Sequence, residues 1–278
     1  MHIDTHPAVL ATLPPKYQPL FDRVLDVTAA DERIRAVWLS GSLARGVSDL
    51  GSDLDLVIAV RDEDFAEFGA QWRDWLAGIT PTLIARQFGA EFTGFTSTTP
   101  DFCRLDVAAE RVGAAAPRPR LVVFDRDGLE AQAPAPEDGA GPDRAAIERL
   151  AEEFLRVTSL FPVVAIARRD VLCSVEGFYL SRSLLYDLFV ETNQPLPPMG
   201  AKQYSARLTG QQRDVLRALP PVAATPESVT TATLSILEAF RTAGRAAAEG
   251  AGATWPEELE RAVTHHLAEE IAQAGTGG

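Results

Sequence analysis

The chain has 278 residues, 46% hydrophobic and 23% charged, a balance that excludes a disordered or fibrous protein and leaves room for two folded cores. Its formal net charge of −13 speaks against a polynucleotide as the main partner, because such binding rests on Lys and Arg neutralising phosphates. A small cationic partner suits that field better. Two cysteines, Cys103 and Cys173, are too few for a disulfide framework or a zinc site, and buried thiols in a reducing cytoplasm are expected. The opening MHIDTHPAVLATLPP has no basic start, and nowhere do about 18 apolar residues run together, so neither export nor a membrane span is expected.

In chain order, residues 14–30 predict an amphipathic helix with Leu20, Phe21, Val24 and Leu25 on one stripe. IRAVWLS follows as an apolar, β-branched strand, SLARGVS as a short helical turn, and DLDLVIAV as a second strand. DEDFAEFGAQWRDWLAGI reads as a helix with Phe65, Phe68, Trp72 and Trp75 on one face. Strands are predicted at TLIARQF, EFTGFTSTT, FCRLDVAAE and RLVVFD, the last closed by the turn DRDG. Residues 131–143, AQAPAPEDGAGPD, offer little to bury and read as a linker. Beyond it strands disappear. Helical periodicity covers 144–160, 170–192, 226–249 and 256–273, with the irregular segment QPLPPMGAKQYSARLTG between the second and third. The division expected is 1–130, a linker at 131–143, and 144–278.

The chemistry concentrates in GSLARGVSDLGSDLDLVIAV, residues 41–60. Alternation along a strand puts Asp53 and Asp55 on one face and Leu54, Leu56 and Ile58 on the other. Two carboxylates held side by side raise one another's pKa unless a cation intervenes, and oxygen-only ligands favour a hard ion such as Mg²⁺. Gly41 permits close backbone approach, and Ser42 begins a helix whose free N–H groups suit an anion. Phosphate beside metal points to a nucleoside triphosphate. Asp106, mid-strand between Leu105 and Val107, is a third acid that is costly unless paired or metal-bound, and three acids from two strands suit a two-metal site.

The pattern GSLARG, then SDLDL, then a strand acid resembles the nucleotidyltransferase superfamily of the DNA polymerase β fold, above all its aminoglycoside and lincosamide nucleotidyltransferases. The resemblance covers residues 35–125 well and the helical half more loosely. It implies an α+β architecture: a polymerase β-like domain, with a mixed sheet and flanking helices, followed by a C-terminal helical bundle. It also implies transfer of a nucleoside monophosphate from an NTP, with Gly41 and Ser42 on the triphosphate and Asp53, Asp55 and Asp106 on Mg²⁺.

Other residues carry two readings each. Arg45 either touches phosphate or makes a structural ion pair with one of the acids, and Arg104 is similar. Lys202 is one of only two lysines among 26 basic residues. The resemblance places such a lysine, with an aromatic like Tyr204, at the triphosphate, whereas the plain alternative is a surface lysine. Glu176, in the apolar helix at 170–192, either receives an acceptor ammonium, or acts as general base, or forms a salt bridge with Arg169, Arg182 or another arginine. His265 and His266 read as exposed helix residues. The function expected is Mg²⁺-dependent transfer of AMP from ATP to a hydroxyl of a small acceptor of the aminoglycoside kind. Alternatives are modification of a protein or tRNA, as in toxin–antitoxin enzymes, and a silent nucleotide sensor.

Overall fold

All six expected strands form in the computed structural model, which describes residues 7–114, 119–129, 140–197, 199 and 202–276. The stretch 131–139 of the expected linker lies outside the described residues. Two units are resolved, one comprising Met1–Asp138 with Pro198–Gln203 and the other Gly139–Pro197 with Tyr204–Gly278.

In the first unit, β1 (Ile34–Leu39), β2 (Leu54–Val60), β3 (Ile84–Gln87), β4 (Gly94–Thr98), β5 (Arg104–Arg111) and β6 (Leu121–Asp125) make one mixed sheet in the order β3-β4-β5-β2-β1-β6. Helices α1 (Tyr17–Ala30) and α3 (Phe65–Ile79) supply apolar side chains to one face. There Leu54, Leu56, Ile58 and Val60 of β2 are buried with Phe68, Trp72 and Phe95, the Trp72 and Phe95 rings stacking at 4.8 Å. The opposite face has a smaller cluster of Ala36, Trp38, Val57, Ala59 and Leu129, so β2 is apolar on both sides except near its start.

One pairing positions the chemistry. β2 and β5 are the parallel pair of this sheet, and their register sets Asp55 beside Asp106. Parallel strands begin at the same sheet end, so acids placed early in each strand meet there.

The second unit is helical: α4 (Arg144–Ser159), a π-helical turn at Pro162–Ala167, α5 (Val171–Thr192), α6 (Gly210–Ala218), α7 (Pro226–Ala251) and α8 (Glu257–Thr276). Asp143 caps α4 by accepting from Ala145 N, and Asp170 caps α5 by accepting from Cys173 N. Pro226 opens α7 behind the Thr225 cap, and Gly252 ends it at φ 65°. Stacked Phe154 and Phe240, 3.7 Å between centroids, join α4 to α7. No described helix is long and apolar enough to cross a membrane.

The structure departs from expectation in three places. Cys103 is buried as predicted, but Cys173, three residues after the N-cap of α5, is exposed. The helix α6 was hidden in the irregular segment and its flank, where a Thr209–Gln212 capping box starts it. The π-helical turn at 162–167 has no periodicity signal that distinguishes it from an α-helix.

Candidate active site

Asp53, Asp55 and Asp106 converge. Each offers a carboxylate oxygen, and the three oxygens lie within 4.8 Å of one another. All three side chains are half-buried, so water screens their mutual repulsion incompletely. Burial, then the charges of Asp106 and Asp53, push the Asp55 carboxyl up to about 6. Burial also raises Asp106, against the lowering effect of a hydrogen bond from Thr96 Oγ1 at 2.6 Å. A cluster so charged is relieved by a cation, and its oxygen-only donors fit a hard divalent ion.

Asp53 is neutralised from two sides. Arg104 and Lys202 both form ion pairs with its carboxylate. Arg104 also donates from Nη2 to the Gly51 carbonyl at 2.8 Å, and its backbone N–H donates to the Tyr17 hydroxyl at 3.1 Å. Of the two alternatives for Arg104, the ion pair with one of the acids is the one present in the structure. Arg45 is exposed and makes no ion pair with any described residue, although its charge acts to lower the pKa of Asp55.

Lys202 belongs to the short segment Pro198–Gln203 that groups with the sheet unit rather than with the helices. The next residue reinforces this, as Gln203 Nε2 donates to Asp49 Oδ2 at 3.1 Å. With Ser42, Arg45, Asp53 and Asp55, these residues line a cavity of about 210 Å³.

Gly41 and Ser42 open α2 (Gly41–Ala44) directly after β1. Gly41 sits at φ 59°, and a Cβ there would lie 1.9 Å from Asp55 Oδ2. The close approach for which glycine is needed is therefore to the Asp55 carboxylate itself. Ser42 is buried, and the first N–H groups of this turn have no partner within the helix, as at any helix start. The site thus sets anion-seeking N–H groups beside a cation-seeking carboxylate cluster. That pairing matches a metal-bound polyphosphate.

Two expected residues lie in the helical unit. Tyr204 is stacked on Tyr186 at 3.7 Å, and its carbonyl accepts from the Tyr186 hydroxyl at 3.2 Å. Glu176 is exposed on α5 and makes no ion pair with any described residue, Arg169 and Arg182 included. Sequence reasoning missed Thr96, Asp49 and Gln203. Thr96 sits opposite Asp106 only through the β4–β5 register, a non-local fact.

Comparison with known proteins gives a family model described as streptomycin adenylyltransferase, matching residues 16–270. Among solved structures the chain is similar to an aminoglycoside 6-adenyltransferase from Bacillus subtilis, with 15% identity over 91% of this chain and 97% of that one and a TM-score of 0.44. It is also similar to a nucleotidyltransferase-like protein from Exiguobacterium sibiricum, with 11% identity over 81% and 75% and a TM-score of 0.33. A CCA-adding enzyme from Thermotoga maritima shares 15% identity over 99% and 69%, with a TM-score of 0.32. No curated protein sequence matches the chain significantly.

Proposed function

This chain belongs to the streptomycin adenylyltransferase family and is a nucleotidyltransferase; we propose that it moves AMP from ATP to a hydroxyl of a small cationic acceptor of the aminoglycoside type. The observation that carries this reading is the meeting of Asp53, Asp55 and Asp106 beside the Gly41-Ser42 turn. An acidic chain with a net charge of −13 favours a cationic small molecule over a polynucleotide. A cytoplasmic setting, where ATP is abundant and the exposed Cys173 thiol stays reduced, is part of the same reading.

In the proposed reaction the acceptor oxygen attacks the α-phosphorus in line, the bond to the β-phosphate oxygen breaks, and pyrophosphate leaves. Two Mg²⁺ ions at Asp53 and Asp55, with Asp106 beside them, would supply charge neutralisation for the triphosphate. Asp106, which accepts from Thr96 Oγ1 at 2.6 Å, either takes the acceptor's proton or shares a metal ion. The Gly41 and Ser42 turn offers N–H donors to the phosphates, and Arg45 adds a guanidinium on the same rim. Lys202 exchanges its Asp53 partner for the triphosphate, and Tyr204 supports the nucleotide through its stack on Tyr186. Glu176 receives an ammonium of the acceptor.

The test is incubation with each α-labelled NTP and Mg²⁺ against a panel of aminoglycosides, lincosamides and simple polyols. ATP-dependent labelling of an aminoglycoside with release of pyrophosphate is the expected outcome. Labelling of protein or tRNA in a lysate, with none of the small acceptors modified, overturns the acceptor assignment.

The Lys202 role has its own expected result. Lys202→Ala should lower kcat/KM for ATP by about 30- to 1000-fold, the loss typical of removing one preorganised charge-stabilising group. Lys16, an exposed lysine bonded to the Asp101 carbonyl at 2.6 Å, is the control, and Lys16→Ala should change little. Equal values for the two variants remove Lys202 from the phosphate site.

A further inference from the structure

Among the described residues of the sheet unit, Phe102 is the one with a side chain whose φ is positive. It lies in the turn at 99–103 that leads β4 into β5, at φ 58°, where glycine or asparagine is at ease and a bulky residue is strained. The turn is stapled on both sides. The Thr99 and Phe102 N–H groups donate to the Cys103 and Thr99 carbonyls, both at 2.9 Å, and the Cys103 N–H donates to Thr99 Oγ1 at 3.0 Å. Lys16 Nζ adds a bond to the Asp101 carbonyl at 2.6 Å. Core packing does not account for phenylalanine at this position, since it is 70% exposed.

Leu50 is exposed to 77%, and with Phe102 it makes the two most exposed large apolar side chains among the described residues of this unit. It sits in the turn before β2, where the Ser52 N–H donates to the Asp49 carbonyl at 3.0 Å. One side chain ties the two turns together. Arg104, two residues after Phe102, donates to the Gly51 carbonyl at 2.8 Å and pairs with Asp53. The order of the strands says which substrate passes over this rim. The sheet runs β1, β2, β5, β4; the Gly41-Ser42 turn follows β1, Asp53 and Asp55 stand at the start of β2, Asp106 is in β5, and Phe102 is in the turn between β4 and β5, all at one sheet end. In-line displacement sets the leaving pyrophosphate and the entering oxygen on opposite sides of the α-phosphorus. With the phosphates on the β1 side and the acids in the middle, the acceptor enters from the side of β5 and β4.

We infer that Phe102 is the acceptor's platform and a determinant of specificity: the C–H face of a saturated sugar or cyclitol ring rests on the phenyl ring, while the reacting hydroxyl on that ring's edge reaches towards Asp106. The inference rests on the transferase reading above and names the acceptor's seat within it. A hydroxylated ring has polar edges and an apolar face, so it suits an apolar rim and an acidic cluster at once. An open-chain polyol presents no such face. A phenylalanine at a strained and exposed position has its reason in this contact.

The experiment is steady-state AMP transfer by the full chain to the aminoglycoside that the wild type labels fastest, together with thermal melting. Phe102→Asn should melt about 2 to 4 °C higher, since asparagine tolerates this backbone. Its KM for the acceptor should rise about tenfold, the scale of one aromatic contact, with the KM for ATP unchanged. Phe102→Tyr keeps the ring and should keep the wild-type acceptor KM. Leu83→Asn, at another exposed apolar position of the sheet unit, should change neither KM. A Phe102→Asn protein with the wild-type acceptor KM, or with both KM values raised alike, overturns the inference and leaves the transferase reading standing. A wild type that labels protein or tRNA and no small acceptor overturns the acceptor reading, and this seat with it.

Discussion

Asp55→Asn is expected to abolish nucleotidyl transfer and, in the metal-free protein, to raise the melting temperature at neutral pH. Burial and the neighbouring Asp106 and Asp53 charges push the Asp55 carboxyl from 3.8 up to about 6, so the fold favours its protonated form. That advantage is complete below the unfolded value and is lost as pH rises through about 6. At pH 7.5 the ionised carboxylate therefore costs up to about 3 kcal/mol. Asparagine keeps the shape and never ionises, so the variant escapes this cost. Melting in EDTA should show it several degrees above wild type at pH 7.5, with the two converging near pH 4. Turnover should fall by about 1000-fold or more, since a charged ligand for the cation is gone. Added Mg²⁺ should stabilise the wild type and not the variant. Asp53→Asn provides a contrast: it loses its pairs with Arg104 and Lys202, so it should lose activity without the gain in metal-free stability. If Asp55→Asn melts with wild type at both pH values, the Asp55 carboxyl is not raised by its surroundings, and if Mg²⁺ stabilises both proteins alike, Asp55 is not a cation ligand.

The strands and both early acids were legible because the strand period is short and the signal is local. Leu54, Leu56 and Ile58 alternate with Asp53, Asp55 and Val57, and that pattern alone places the acids on the face away from the main core. Asp106 was legible for a related reason, as an acid inside an apolar run. What the sequence withheld were facts of pairing. That β5 lies parallel to β2 with Asp106 beside Asp55, and that β4 delivers Thr96 to Asp106, depends on contacts between strands distant along the chain. Arg104 was ambiguous for the same reason, its partner Asp53 lying on another strand far away in sequence.

Lys202 shows a different limit. Composition singles it out, but its segment sits among helical residues in sequence while grouping with the sheet unit in space. No local pattern encodes such a return of the chain. The helix α6 was different again, because its signal was present. Thr209 and Gln212 have the spacing of a capping box, and only the surrounding prolines and glycines drew attention from it. Glu176 was legible as an unusual charge on an apolar helix, yet its lack of a partner among the described residues is visible only once the side chains around it are placed.

Gly41→Ala is expected to damage the site through geometry alone, without removing any functional group. Two costs act at once. The backbone at φ 59° is open to glycine and disfavours a residue with a Cβ by about 1 kcal/mol. The added methyl would also fall 1.9 Å from Asp55 Oδ2, 2.6 Å from its Cγ and 2.9 Å from its Cβ, distances at which something must move. The backbone of the turn is tied to the strand by the Ser40 N–H bond to the Asp55 carbonyl at 2.9 Å, so the Asp55 side chain is the part free to yield. Displacing that carboxylate by even about 1 Å disperses the acidic cluster, and misplacement on that scale can cost about 100-fold in rate. Gly128→Ala separates the two costs. Gly128 also has a positive φ, 71°, but a Cβ there would meet nothing within 4 Å. Both variants should lose comparable stability from backbone strain, while only Gly41→Ala should lose activity and Mg²⁺-dependent stabilisation. The measurement is kcat/KM for ATP together with melting temperature with and without Mg²⁺. Equal activity in the two variants would mean that the contact between Gly41 and Asp55 has no bearing on the carboxylate cluster.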